Sequence, residues 1–172
     1  FQADFSNTPD ILRLWTEYVE WSGGIDVLIN NAGGTVSPMP VNELTEEGWD
    51  ATFQVNLKAP FLLSREAMSV MTNQQSGSIV NVSSIGVKFG GGENTVHYSA
   101  SKAGLEAITR SFAKVGAPYN VRVNAVRAGV TDTPMHKKIG QQKLQERTSL
   151  IPLGRLADPL EISKAILFLA SD

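Results

Sequence analysis

Cysteine is absent from this chain, which removes disulfides, thiolate zinc sites and thiol nucleophiles together. Histidine is nearly so: His97 and His136 are the two present, too few for the usual imidazole set of a catalytic zinc centre, so no metal is expected. Charge of either sign is sparse. Lys and Arg number 15 against 17 Asp and Glu, a formal net charge of −2, and the longest basic run is Lys137-Lys138. Nothing there neutralises a phosphate backbone or docks on an anionic bilayer, so neither nucleic acid nor membrane is an expected partner. No run approaches the roughly 20 apolar residues of a membrane span. The opening Phe1-Gln2-Ala3-Asp4 has neither an initiator Met nor a basic leader, so the expectation is a cytoplasmic protein of which this sequence is an incomplete part. What is present is the balance of a folded domain: 42% of the 172 residues are hydrophobic and 19% charged, enough for a sizeable core in one domain spanning 1–172.

Thr8-Pro9 reads as a cap followed by proline at the first helical position, and Ile11, Leu12, Trp15, Tyr18 and Val19 share a face before Gly23-Gly24 stops the helix. The run Ile25-Asp26-Val27-Leu28-Ile29 then reads as a short buried strand that ends in the turn residues Asn30-Asn31-Ala32-Gly33-Gly34. The same grammar returns twice. Strands are expected at Ser78 to Ser84 and at Asn120 to Val126, each after a helical stretch, near residues 46 to 73 and 98 to 116. Alternating strand and helix demand parallel strands joined by right-handed crossovers. The expected fold is α/β, a three-layer doubly wound parallel sheet with its sites beyond the carboxyl ends of the strands.

Tyr98 and Lys102 stand four residues apart, so a helix starting there stacks a phenol and an ammonium on one face. A phenol titrates near ~10, and a cation a few ångströms away favours the phenolate and lowers that value, which would make an acid/base catalyst. Beyond the second strand, Ser84 offers a hydroxyl to a substrate oxygen; beyond the first, Asn30 to Gly33 offer side chains small enough for close ligand approach. Pro60 cannot donate to the carbonyl of Asn56, four residues earlier. That leaves an acceptor for a water that passes protons toward a neighbouring ammonium. The plain alternatives are a solvated Tyr98 and Lys102 pair, and a Pro60 that merely bends a helix whose Asn56 faces solvent. Ser83 competes with Ser84. His97 is given no role, since adjacent helix residues do not face one another, and is expected to pack or to point to solvent. Gly90-Gly91-Gly92 lacks the spacing of a phosphate loop and reads as a flexible segment flanking the site. Trp15, Trp21 and Trp49 read as core or interface.

Taken in order, Asn30-Asn31-Ala32-Gly33, Asn56, Val82-Ser83-Ser84 and Tyr98-x-x-x-Lys102 resemble the short-chain dehydrogenase/reductase family. The resemblance continues through Val123-Asn124-Ala125-Val126, Thr131 and Thr133, Pro152-Leu153-Gly154-Arg155 and Phe168 to Asp172, and covers essentially the whole chain. It implies a Rossmann-type fold and a nicotinamide cofactor, NAD or NADP, for interconverting a ketone and a secondary alcohol by hydride transfer. Tyr98 would be the general acid/base, Ser84 would hold the reacting oxygen by the family's habit of using the second serine, and Lys102 would bind the nicotinamide ribose while lowering the tyrosine pKa. Asn56 would hold the relay water. By the same resemblance Asp4 and the Phe5 backbone would meet the adenine, Asn30, Asn31, Ala32 and Gly33 would line the adenosine side, and Thr131 and Thr133 would meet the carboxamide. Members similar to 3-oxoacyl-carrier-protein reductases and to sugar or steroid dehydrogenases lie nearest. The stretch Pro134 to Leu150, with Met135, Ile139 and Leu144, resembles the family's mobile substrate lid, and the substrate is a small carbonyl or alcohol of no more specific kind. The helices near 46 to 73 and 98 to 116 resemble the pair through which the family builds homodimers and homotetramers.

Two departures stand out. The family opens with a strand and a glycine-rich turn that binds the cofactor pyrophosphate, whereas Phe1-Gln2-Ala3-Asp4 resembles the end of the third family strand. Residues 1–172 therefore read as a partial domain, the catalytic half, with a last strand expected beyond Asp172 and a stub at Phe1 left without a sheet neighbour. Arg127-Ala128-Gly129 stands where the family usually has Pro-Gly. The alternative to an oxidoreductase is a noncatalytic truncated fragment or paralogue that keeps the dimerisation helices.

Overall fold

The computed structural model describes residues 1–134 and 140–171. Helix α1 (Thr8–Ser22) begins one residue earlier than the Thr8-Pro9 pattern implies: Asn7 is the cap, its side chain accepting from the Asp10 amide, and Pro9 falls inside the first turn. Gly23 closes the helix at φ 73°, its N–H donating to the Val19 carbonyl. Strand β1 (Val27–Asn30) follows. The long stretch expected next is three pieces in one rod: α2 (Glu46–Phe53), a π-helical turn (Gln54–Lys58) and α3 (Ala59–Gln74). Then come β2 (Gly77–Ser84), the short α4 (Gly86–Phe89), α5 (Val96–Gly116) and β3 (Val121–Ala128). Helices α6 (Gln141–Ser149) and α7 (Pro159–Ala170) end the described chain, α7 opened by a capping box between Asp158 and Glu161.

The three strands are parallel in the order β1-β2-β3, as alternating strand and helix require. Side-chain alternation along the strands assigns the layers. Leu28, Ile79, Val121 and Val123 face α1, α3 and α5, where Ile25, Ala67, Met68 and Met71 complete the main core with Trp15, Tyr18 and Phe112 at its margin. A second cluster, Ile11, Ala59, Leu62 and Leu63, seats α1 on α3. Full burial of an apolar side chain such as Met71 or Ile79 is worth about 1.5–3 kcal/mol. Ser78 and Arg122, register partners that point the other way, hold α7 on the opposite face: Ser78 Oγ donates to the Leu169 carbonyl at 3.1 Å and Arg122 to the carbonyls of Leu169 and Ser171 at 2.7 and 2.9 Å. That face is only part covered, and Val27 and Ile29 of β1 are 39% and 45% exposed.

Residues 1–4 form no strand, in keeping with a stub that has no sheet neighbour. The Phe1 ring instead meets Tyr18 and Trp21 of α1, at centroid separations of 6.2 and 5.8 Å. Among the described residues no helix is long and apolar enough to cross a membrane. Met135 and Ile139 of the expected lid, and Asp172 of the closing motif, lie outside the described residues.

Candidate active site

The carboxyl ends of β1 and β2 and the amino end of α5 converge. Tyr98 and Lys102 lie on successive turns of α5, and the face they share looks onto the end of β2. Ser83 and Ser84 part company there. Ser83 is buried and its Oγ donates to Glu106 Oε1 at 2.8 Å. The Ser84 hydroxyl instead lies beside the Tyr98 phenol, whose pKa it lowers, and accepts from the Gly86 amide at 3.1 Å.

Lys102 is 4% exposed. Its Nζ donates to the Val82 carbonyl at 2.7 Å and stands 6.0 Å from the centroid of the Tyr98 ring. Burial brings its pKa down to about 8. The expectation that Lys102 lowers the tyrosine pKa needs correction here: burial pushes the Tyr98 phenol above its usual value, and the Ser84 hydrogen bond pulls it only part of the way back. The physical reason is that removing the phenol from water disfavours its charged form, while the ammonium is turned to a main-chain carbonyl rather than to the phenol oxygen.

Asn56 sits in the middle of the π-turn and is fully buried, so it does not face solvent. Its Oδ1 accepts from the Gly34 amide at 2.9 Å, and its Nδ2 donates to the carbonyls of Gly34 at 2.8 Å and Thr52 at 2.9 Å. The loop after β1 is thereby stitched to the helix. The wide turn also gives Pro60 a place near the start of α3, and such π-turns recur at functional sites. Gly33 is held where no side chain fits. A Cβ there would stand 2.6 Å from Asn56 Oδ1 and 3.2 Å from Lys102 Nζ, so backbone, amide and ammonium form one cradle.

The other site candidates fall around this centre. Asn30 turns inward, donating to Asn81 Oδ1 at 2.8 Å and Ser64 Oγ at 3.0 Å, so only its backbone is open to a ligand. Asn31, Ala32 and Gly33 are exposed. Asp4 is held by Ser6, whose amide and hydroxyl both donate to Asp4 Oδ1 at 2.8 Å. The Phe5 carbonyl accepts from Gln54 Nε2 of the π-turn at 3.4 Å. Thr131 is buried, donates to the Gly129 carbonyl at 3.1 Å and bridges to Ala157, while Thr133 donates to the Thr131 carbonyl at 3.4 Å. The segment at Gly90 to Gly92 is pinned to α5: the Gly92 amide donates to Thr95 Oγ1 at 2.8 Å, and Gly90 and Gly91 adopt φ of 82° and 72°. His97 packs inside, with neither ring nitrogen partnered among the described residues.

Two features escaped sequence reasoning. One is a polar chain from Ser64 and Asn30 through Asn81 to Thr109, where Asn81 Nδ2 donates to Thr109 Oγ1 at 2.8 Å. The other is the ion pair of Glu106 with Arg127; the four-residue steps from Tyr98 to Lys102 to Glu106 put Glu106 on the same helix face but give no sign of its partner.

A family model described as Enoyl-(Acyl carrier protein) reductase matches residues 1–172. The 3-oxoacyl-(acyl-carrier-protein) reductase FabG of Thermotoga maritima is 46% identical over 172 residues, all of this chain and 69% of that protein. The FabG of Aquifex aeolicus is 40% identical over 171 residues, 99% of this chain and 68% of that protein. A cyclopentanol dehydrogenase of a Comamonas species is 40% identical over 166 residues, 92% and 65% of the two chains. A partial, all-parallel sheet flanked by helices, these sequence identities and a family match over every residue lead to one conclusion: the chain belongs to the short-chain dehydrogenase/reductase family of oxidoreductases.

Proposed function

We propose that residues 1–172 are one partial domain carrying the catalytic centre of an oxidoreductase that interconverts a ketone and a secondary alcohol, with Tyr98 as general acid/base. One observation carries the reading: a half-buried phenol beside a serine hydroxyl, with a buried ammonium one helical turn away. The names of the relatives, among them an acetoacetyl-CoA reductase 38% identical to this chain, describe chemistry at carbonyl or alcohol carbons.

NAD or NADP is the cofactor of this family. The residues present fit its nicotinamide half: Gly33 brings bare backbone against Asn56 and Lys102 where no Cβ would fit, and Lys102 uses one of its three protons on Val82, leaving two for ribose hydroxyls. When bound, the nicotinamide supplies or accepts the hydride. Ser84 and Tyr98 share the reacting oxygen, Ser84 orienting it and Tyr98 giving its proton in reduction and taking it in oxidation. A phenol with a raised pKa stays protonated at neutral pH, which suits the reductive direction. Lys102 orients the ribose. Asn56 fixes the loop at Gly34 through its side chain, and its main chain, four residues before Pro60, supports a relay water. Asp4 and Phe5 meet the adenine, Asn30, Asn31, Ala32 and Gly33 line the adenosine, and Thr131 and Thr133 take the carboxamide. The outer sides of α3 and α5, where Phe61 and Phe112 meet at 6.0 Å, support a homodimer or homotetramer.

The test is steady-state kinetics of the Tyr98→Phe variant in the intact protein. Turnover falls about 100-fold or more, the size of a lost proton-transfer group, while cofactor affinity stays near the wild-type value. Near-normal turnover would sink the assignment.

A further inference from the structure

Helix α5 carries Tyr98, Lys102 and Glu106 at steps of four, so three ionisable groups share one face. The proposed chemistry uses the first two. Glu106 is 7% exposed, and a carboxylate that buried needs compensation. Compensation comes from both strands beneath. Arg127 of β3 donates Nε to Oε1 and Nη2 to Oε2, each at 2.6 Å, and Ser83 of β2 donates to Oε1 at 2.8 Å. Ser83 and Arg127 are register partners, each one residue before Ser84 and Ala128, and the Ile85 amide closes that end of the sheet on the Ala128 carbonyl at 2.9 Å. The carboxylate thus bolts α5 to two strands at the level just below Ser84. Arg110, one turn further along α5, adds to the positive field that holds Glu106 below the usual carboxylate range. Attraction alone does not account for the arrangement, because the Arg127 side chain is 47% exposed and apolar packing can glue a helix to a sheet equally well. A two-pronged fork also sets direction.

We propose that Glu106 and Arg127 are positioning residues that set the height and rotation of Tyr98 and Lys102 over Ser84. The proposal rests on the reading of Tyr98 as the acid/base and goes beyond it. Neutralising Arg127 has two effects. The helix loses its stop, which misplaces the phenol and slows the chemical step. In addition, a carboxylate that has lost its ion-pair partner, and keeps only Ser83 and the more distant Arg110, is left one turn from Lys102 and two from Tyr98, which keeps both protonated to higher pH.

The experiment uses the intact protein and four variants: Tyr98→Phe, Arg127→Met, Arg127→Lys and the double variant Glu106→Gln with Arg127→Met. It reads kcat, KM, and the Lys102 titration by NMR in cofactor-free protein. Arg127→Met is expected to lower kcat by about tenfold or more, with KM moving less than about threefold, and to raise the Lys102 midpoint by about half a pH unit. In the double variant, which has no stranded charge, the midpoint returns while kcat stays low. Arg127→Lys keeps the charge and loses the fork, so it shows the kcat loss without the titration shift; it decides the matter should Arg127→Met fail to fold. Wild-type kcat in both Arg127 variants, alongside an inactive Tyr98→Phe, overturns the positioning role and leaves the catalytic assignment standing. Full activity in Tyr98→Phe removes that assignment whatever Arg127 does.

Discussion

Lys102 and Tyr98 respond to burial in opposite directions, and each leaves a mark on stability. Lys102 titrates near 8 when folded against an ordinary 10.5. Between those values the unfolded chain holds a proton that the folded chain has released, so stability rises with pH through the window, the penalty of burying the ammonium being fully present below it. Tyr98, raised above 10.0, works the other way at higher pH: the unfolded phenol ionises first and stability falls. Urea midpoints measured from pH 8 to 10 are therefore expected to climb in the wild type and to climb less in Lys102→Met; equal slopes would contradict the lowered lysine. His97 is a simpler case. Its two buried nitrogens, unpartnered among the described residues, give nothing back for their desolvation, so His97→Leu is expected to leave the melting temperature unchanged or higher. A melting temperature lowered by several degrees would mean that the imidazole has a partner. The sequence marks His97 as lying off the catalytic face of the helix, but it carries no sign of whether the ring ends inside or outside.

Between α2 and α3 the π-turn does what an unbroken α-helix would not: it widens the coil at Asn56 so that one amide side chain reaches the main chain on either side of Gly34. Asn56→Ala deletes three hydrogen bonds in a fully buried place and strands the Gly34 amide. The loss is expected to be about 1–3 kcal/mol in chemical denaturation, with cofactor affinity weakened as well. An Asn56→Ala protein as stable as the wild type would show that the loop is held by other means. Gly104 has a related part, since a Cβ there would stand 2.8 Å from Leu57 Cδ2; the Leu57 side chain of the π-turn packs directly on the α5 backbone. Much of this was legible beforehand. Three strands, the flanking helices and the Asn56–Pro60 irregularity follow from β-branched runs, 3.6-residue periodicity and a proline without a donor. Illegible were the Asn7 cap, because Thr8-Pro9 offers an equally good local signal, and the Glu106–Arg127 fork, because residues 21 apart in sequence meet only once the crossover is closed. The direction of the Tyr98 shift was misjudged for a different reason: spacing reports proximity of charge but not the degree of burial, and here burial is the larger influence.

Apolar surface is distributed unevenly. The face that packs on α1, α3 and α5 is filled, whereas among the described residues α7 alone lies on the other, with Leu160, Leu167 and Phe168 largely exposed. A protein consisting of residues 1–172 is expected to bind a dye specific for apolar surface and to show that binding fall when Leu167 and Phe168 are replaced by Ser; no dye binding would mean that those side chains are covered in solution. The proposed association surface is distinct. Phe61, 39% exposed on α3, is placed to sit in it, so light scattering of the intact protein at tens of micromolar is expected to report a dimer or tetramer that Phe61→Glu shifts toward monomer. A wild-type monomer would remove the oligomer proposal.

The buried chain of Ser64, Asn30, Asn81 and Thr109 has one more consequence, for how the sheet finds its alignment. Asn30 and Asn81 are opposite one another in the β1–β2 pairing. Parallel strands with apolar residues on both faces, such as Ile79 and Val80, tolerate a slip poorly distinguished by hydrophobicity alone. A one-residue slip of β1 would swing Asn30 away from Asn81 and leave two amides buried with nothing to bond, a penalty of about 1–3 kcal/mol for each group left unsatisfied. These amides act as a key cut for a single lock position, and because β1 leads directly into Asn31, Ala32 and Gly33, the same key decides which backbone atoms arrive beside Lys102.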